Sequence, residues 1–187
     1  MKLLRSKKGL STVVTTLIIL VVSVLLASVV TFYAINVTTT RVQEESLFLT
    51  KPHIWYSSTN ATPTAEAALI IINTGGRDVV IDKISVRGQE CRWENVFYCI
   101  TSGSISGDLQ FNATLKDGGK ITIGETEHTF RQGNSGTDLT LRSGYTMIIY
   151  IDDPDSISLN DIGLTVGITV FTSNAQYYKE ANVEATA

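Results

Sequence analysis

The side chains able to do chemistry are few and scattered. Cys91 and Cys99 bracket the segment Cys-Arg-Trp-Glu-Asn-Val-Phe-Tyr-Cys, and the seven residues between them, with Glu94-Asn95 near the middle, fit two short strands folded back as a hairpin. In an oxidising compartment that spacing predicts a Cys91–Cys99 disulfide, which would contribute roughly 2–3 kcal/mol by restricting the unfolded chain. A structural zinc site needs four ligands, and His53 and His128 stand away from any Cys or carboxylate cluster at metal-site spacing, so no metal is expected. The acidic run Asp152-Asp153-Pro154-Asp155-Ser156 could face a hard cation. It has neither the spacing nor the bend glycine of an EF-hand loop, and it reads as a solvated turn. Gly75-Gly76 and Gly118-Gly119 precede no helix and lack the Lys-Ser/Thr of a phosphate loop, so they read as turn glycines. No His lies in a nucleophile motif; His128, in Glu125-Thr126-Glu127-His128, reads as part of a polar turn or edge strand. The chain is therefore not read as an enzyme, and no cofactor is expected.

The strongest signal is an apolar run over residues 10–35. It follows Lys2, Arg5, Lys7, Lys8 and Gly9, and no charge interrupts it before Arg41. At about 1.5 Å per helical residue it reaches roughly 39 Å, more than the ~30 Å hydrocarbon core of a bilayer. Four cations ahead of it, against Arg41, Glu44 and Glu45 beyond it, put the N-terminus in the cytoplasm and the remainder outside. A secretory signal has a shorter apolar core with a small-residue cleavage site after it. Here the only processing signal lies before the run, in Lys7-Lys8-Gly9-Leu10-Ser11. Cleavage there would remove the charged leader and keep the helix.

Basic-Gly-apolar followed by a long Ser/Thr/Val/Leu/Ile helix resembles the class III signal peptide of archaeal type IV pilins and archaellins, over residues 1 to about 50. The resemblance implies cleavage by a membrane peptidase between Gly9 and Leu10. It further implies a membrane assembly platform, and a mature helix that packs with its copies in the core of an extracellular filament. The core-facing set would be Val14, Leu17, Ile18, Val21, Val22, Leu25, Val29 and Phe32. Bacterial type IV pilins usually carry a Glu as the fifth mature residue; Val14 stands there, which points to the archaeal branch. The segments 72–76 and 84–88 also resemble the first hairpin of archaeal pilin and archaellin outer domains.

Of 187 residues 43% are hydrophobic and 18% charged, with 15 basic against 18 acidic side chains. Loss of the leader would leave 11 basic against 18 acidic, a formal charge of −7. No basic patch survives to neutralise a phosphate backbone, which argues against nucleic-acid binding. Three N-glycosylation sequons start at Asn36, Asn60 and Asn112. Each would lie on the external side, with Asn36 facing burial between packed helices.

The helix is expected to run from Leu10 through Phe48 and to end before Pro52. Beyond it, period-two segments are expected at 54–56, 67–73, 79–86 (with a bulge near Asp82-Lys83), 109–115, 120–123, 129–131, 139–142, 145–151, 164–172 and 176–181, separated by Gly, Asn and Asp turns. Short strands with no helical pattern between them predict an antiparallel sandwich of immunoglobulin-like type. The fold class is thus α+β, with a leader over 1–9, an assembly or transmembrane helix over 10–51 and an extracellular β-sandwich over 52–187. Trp55, Tyr56, Trp93, Phe97, Tyr98, Tyr145, Tyr150, Tyr177 and Tyr178 read as core or subunit contacts. A carbohydrate-binding surface is the alternative use, and it needs several rings exposed on one face.

These expectations converge on a structural subunit of an extracellular archaeal filament, an adhesive pilus rather than an archaellum. Its partners would be its own copies, the membrane before assembly, and host or abiotic surfaces. The alternative from another class is an uncleaved, membrane-anchored sandwich that binds an external partner such as the surface layer or a motility stator.

Overall fold

A computed structural model describes residues 7–42, 44–58, 64–112, 114–136 and 138–186, with helix side chains described over 11–40. The chain divides into two compact units, Met1–Gln43 and Glu44–Ala187. The described residues of the first form one helix, α1 (Lys7–Val42).

The second unit is a mostly antiparallel, sandwich-like β-domain. Its strands are β1 (Leu47–Ser57), β2 (Thr64–Asn73), β3 (Val79–Val86), β4 (Gln89–Glu90), β5 (Val96–Thr101), β6 (Lys120–Ile123), β7 (Thr126–Thr129), β8 (Arg131–Gln132), β9 (Leu139–Leu141), β10 (Thr146–Asp152), β11 (Thr165–Thr172) and β12 (Gln176–Thr186). One layer is ordered β1-β2-β10-β5-β8 and the other β12-β11-β3, with β4 and β9 both paired to β3. The layers join where β1 meets β12, in parallel, over Ile54–Ser57 and Val183–Thr186. An all-antiparallel sandwich is the sequence expectation; this one parallel pair departs from it. β6 and β7 form a separate hairpin.

Two cores flank the first layer. Between the layers, Leu49, Ile54, Leu69, Ile71, Ile149 and Ile151 meet Ile81, Ile84, Val86, Ile168 and Val170. On the outer face, Trp55, Ala68, Ile70, Phe97, Ile148 and Tyr150 are covered by Leu109, Leu115, Ile121, Ile123 and Phe130. Having no wet side explains why β2 and β10 read as continuous apolar runs rather than alternating ones.

Several boundaries differ from the sequence reading. α1 ends at Val42, well before Pro52, and the units divide at 43/44 rather than 51/52. Leu47 and Leu49 are buried while Phe48 between them is exposed, so strand alternation governs residues that could have extended the helix. Pro52 sits inside β1, at a register shift between Thr50 and His53 where Lys51 has a φ of 48°. A bulge frees that position from donating to the ladder, which is where a strand tolerates proline. The described residues of the expected strand 109–115, namely 109–112, 114 and 115, are irregular, with Leu109 and Leu115 plugging the outer core. The bulge expected near Asp82 is present, as the β11 register skips from Lys83 to Ile81.

Cys91 and Cys99 do not form the expected hairpin, and both are free thiols. β4 pairs with β3 in one layer and β5 with β10 in the other, and a 3-10 turn at Trp93–Asn95 carries the chain between layers. Alternation along β5 sends Val96 and Tyr98 toward the inter-layer core and Phe97 and Cys99 to the outer one, whereas Cys91 packs on the inter-layer core. A disulfide needs Cβ atoms about 3.8 Å apart on one side of the backbone, and here a strand stands between them. Burial pushes the Cys91 thiol up to about 11 and raises that of Cys99, so both stay protonated.

Glu66 is a buried carboxyl in the apolar run of β2, 2% exposed. It accepts the Asn112 backbone N–H at 2.7 Å and lies opposite Asp152 on β10. Burial raises it from its ordinary 4.5 to about 8, and the Asp152 charge adds to the rise. A group with a raised folded-state pKa keeps a proton that the unfolded chain has lost, so stability falls as pH climbs from 4.5 toward 8. Thermal unfolding of the detergent-solubilised chain should therefore show a midpoint that drops between about pH 5 and about pH 8, and Glu66→Gln should flatten that slope. Separately, alkylation of the unfolded, unreduced chain should add two adducts by mass; none would mean that a disulfide forms.

Candidate functional site, an exposed apolar helix

Within α1 the span Ser11–Thr40 contains an 18-residue window with a mean hydropathy of 2.9, and all of its residues are exposed. This N-terminal helix has the length and composition of a membrane anchor or signal sequence. Its β-branched residues disfavour an isolated helix in water, but in lipid every backbone group must be paired within the segment, and only the helix achieves that. The hydroxyls follow the same rule. Thr15, Thr16, Ser23, Ser28, Thr31, Thr39 and Thr40 each donate to a carbonyl three or four residues back, at 2.7–2.9 Å. Their oxygens are thus satisfied internally and the helix presents an apolar cylinder.

The cylinder has two unlike sides. At about 100° per residue, Val14, Ile18, Val21, Val22, Leu25, Val29 and Phe32 fall within an arc of roughly 100°, with Leu17 just beyond its edge. All eight are exposed, from 47% at Val22 to 71% at Phe32. Thr16, Ser23, Ala27 and Ala34 gather within roughly 40° on the opposite side. Small residues let helix backbones approach closely where no hydrophobic drive separates helix from lipid, and bulky ones fill the space around such contacts. By helical spacing seven of the eight expected core-facing residues share one stripe, and Leu17 stands outside it. The small stripe behind it was legible in the same periodicity, yet the apolar count hides it.

Gly9 and Leu10 lie in the first turn of α1. Asn36 continues the bulky stripe beyond Phe32, and its carbonyl accepts the Thr40 hydroxyl. Asn60 lies outside the described residues. Asn112 is half-buried; its Oδ1 accepts both the backbone N–H and the hydroxyl of Thr114 at 3.2 Å, while its own N–H is held by Glu66.

The aromatic residues are mostly core. Trp55, Phe97 and Tyr150 are at most 5% exposed, and Tyr150 donates to the Gln110 carbonyl at 3.0 Å. In the β-domain only Phe48 and Tyr178 among the described rings are more than half exposed. Tyr178 lies over Gly167, where a Cβ would sit 2.2 Å from the ring. No face therefore gathers the several open rings that a carbohydrate platform needs.

Sequence reasoning missed the residues that tie the strap over 102–112 and 114–118 to the first layer. Besides Glu66, Lys51 donates to the carbonyls of Ile105, Ser106 and Gly107. His53 stacks on Trp55 with ring centroids 5.1 Å apart and bonds Asp108 at 3.0 Å. A carboxylate inside an apolar block, Ala-Glu-Ala-Ala-Leu, was the one visible sign.

Compared with known proteins, the chain matches no family model and no curated sequence. Among solved structures, it is similar to a copper-bound PCuAC domain from PmoF2, at 14% identity and a TM-score of 0.34, over 76% of this chain and 99% of that one. It is also similar to the collagen-binding subdomain of the Enterococcus faecalis surface protein ACE, at 8% identity and a TM-score of 0.29, over 74% and 97%. Neither likeness assigns a ligand or an activity to this chain.

Val22 stands near the middle of the apolar window, so Val22→Asp should weaken membrane integration by about 3 kcal/mol. Alkaline carbonate extraction of membranes checks this, with more of the variant than of the wild type expected in the soluble fraction.

Proposed function

We propose that this chain is the structural subunit of an extracellular filament of the archaeal type IV pilin kind, an adhesive pilus rather than an archaellum. The observation that carries the reading is α1 itself. It is a helix whose first turn holds Lys7-Lys8-Gly9 and whose apolar body is exposed all round over 11–40, with a bulky and a small side. The four leader cations hold the precursor with its N-terminus inside. Removing them at Gly9 takes away charges that could enter a helix bundle only at a large desolvation cost. The freed helix then exchanges lipid for neighbouring helices, bulky stripe against small. Because unlike sides meet, each contact is head-to-tail, and a rotation that does not close yields a helical polymer. The β-domain faces water and meets the surfaces to which the filament adheres.

A second reading, an uncleaved anchor whose domain binds an external partner, is favoured by one observation: the Gly9–Leu10 peptide is already helical. The N-terminal residue of protein sheared from cells separates the two. A start at Leu10 in a high-molecular-weight fraction is the expected result; an intact leader found only in membranes would support the anchor instead. Gly9→Arg should abolish filaments while sparing membrane insertion, and normal filaments from that variant would refute the proposal. Ala27→Leu, which adds bulk to the small stripe, should reduce filament yield in electron micrographs without loss of membrane-bound precursor.

A further inference from the structure

We infer that the β-domain is built to carry tension applied through its N-terminal end, with β1 loaded in shear; this rests on the reading that α1 is held in a membrane or filament. Covalent continuity makes Glu44 the point where any pull from α1 reaches the domain. The lead-in at 44–46 is fastened on two sides. The Ser46 carbonyl accepts the backbone N–H groups of Thr74 and Gly75 at 2.9 and 3.0 Å, and the Ser46 and Thr74 hydroxyls bond at 2.9 Å. Glu45 accepts the Thr172 hydroxyl and, at 2.9 Å, the Asn174 side-chain amide. The turn after β2 fits so closely that a Cβ on Gly75 would lie 2.6 Å from the Glu44 carbonyl oxygen.

From there the chain becomes β1, an interior strand. It is antiparallel to β2 from Leu47 to Ser57 and parallel to β12 at its far end, Ile54–Ser57 beside Val183–Thr186. Leu47, Leu49 and Ile54 key it into the inter-layer core. Lys51 and His53 fasten it to the strap through Ile105, Ser106, Gly107 and Asp108. Thr186 pairs with Ser57, so the chain leaves the domain at the end opposite Glu44. A pull on Glu44, resisted at that far end, drags β1 along its own axis past both neighbours. Ladder hydrogen bonds lie across the strands, so this displacement loads the whole register together. Separating two strands from one shared end instead breaks the pairs in turn.

The test is single-molecule force spectroscopy on the full chain in detergent, with handles on azide-bearing residues. The axial pull joins position 44 to the C-terminal end. The unzipping pull joins positions 77 and 173, which lie at the same end of the adjacent strands β3 and β11. The axial unfolding force at equal loading rate should exceed the unzipping force by about threefold or more, because forced unfolding is governed by the barrier along the direction pulled. Axial rupture should also release about 500 Å of chain in one step. An axial force equal to or below the unzipping force, or release in several small steps, would overturn the inference. Neither outcome depends on polymerisation. A strong axial response from chains that never form filaments would leave the inference standing for an anchored domain, and a weak one from filament-forming chains would remove it alone.

Discussion

β2 and β10 run side by side through the middle of the first layer, and neither has a face that touches water. Leu69, Ile71, Ile149 and Ile151 point one way, and Ala68, Ile70, Ile148 and Tyr150 point the other. Two separate covers are therefore required. The second layer supplies one through β3, β11 and β9; the long excursion between β5 and β9 supplies the other through Leu109, Leu115, Ile121, Ile123 and Phe130. The hairpin of β6 and β7 and the irregular strap ahead of it exist in their present positions because an apolar sheet face exposed at this size would be an association site.

Covering a sheet with irregular chain creates a polar problem, since strap backbone groups lose water without gaining a ladder. Particular side chains solve it. Glu66 takes the Asn112 N–H, Lys51 satisfies three successive carbonyls, Tyr150 takes the Gln110 carbonyl and His53 takes Asp108. At Glu66 the solution has a cost, because a carboxyl placed there keeps its proton well above the ordinary range. The same segment carries the Asn112 sequon, so the burial of the sheet and the presentation of that asparagine are linked through one hydrogen bond.

α1 answers the opposite requirement. Seven of its hydroxyls are folded back on its own carbonyls and its exposed surface is mostly apolar, which suits lipid better than water. The thiols fit the same division of labour: Cys91 and Cys99 serve as small apolar fillers on opposite faces of the first layer.

Much of this was legible in the amino-acid order. The apolar run after Lys7-Lys8-Gly9 specified a helix and its bulky stripe, because helix formation in an apolar medium depends on local backbone pairing alone. The period-two segments and their turn residues specified a sandwich-like β-domain, and even the bulge at Asp82 showed in the broken alternation of Ile81, Ile84 and Val86. Tertiary structure decided what local pattern leaves open. Leu47 and Leu49 suit a helix or a strand equally, and the inter-layer core selected the strand. The Cys91–Cys99 spacing suits a hairpin, but pairing of β4 with β3 and of β5 with β10 sent the two thiols to opposite faces. The parallel meeting of β1 with β12 brings together residues more than a hundred positions apart, and the fastening of Glu45 to Thr172 and Asn174 does the same. Such pairings follow from how two layers close around a shared core, and no short window of sequence contains both partners.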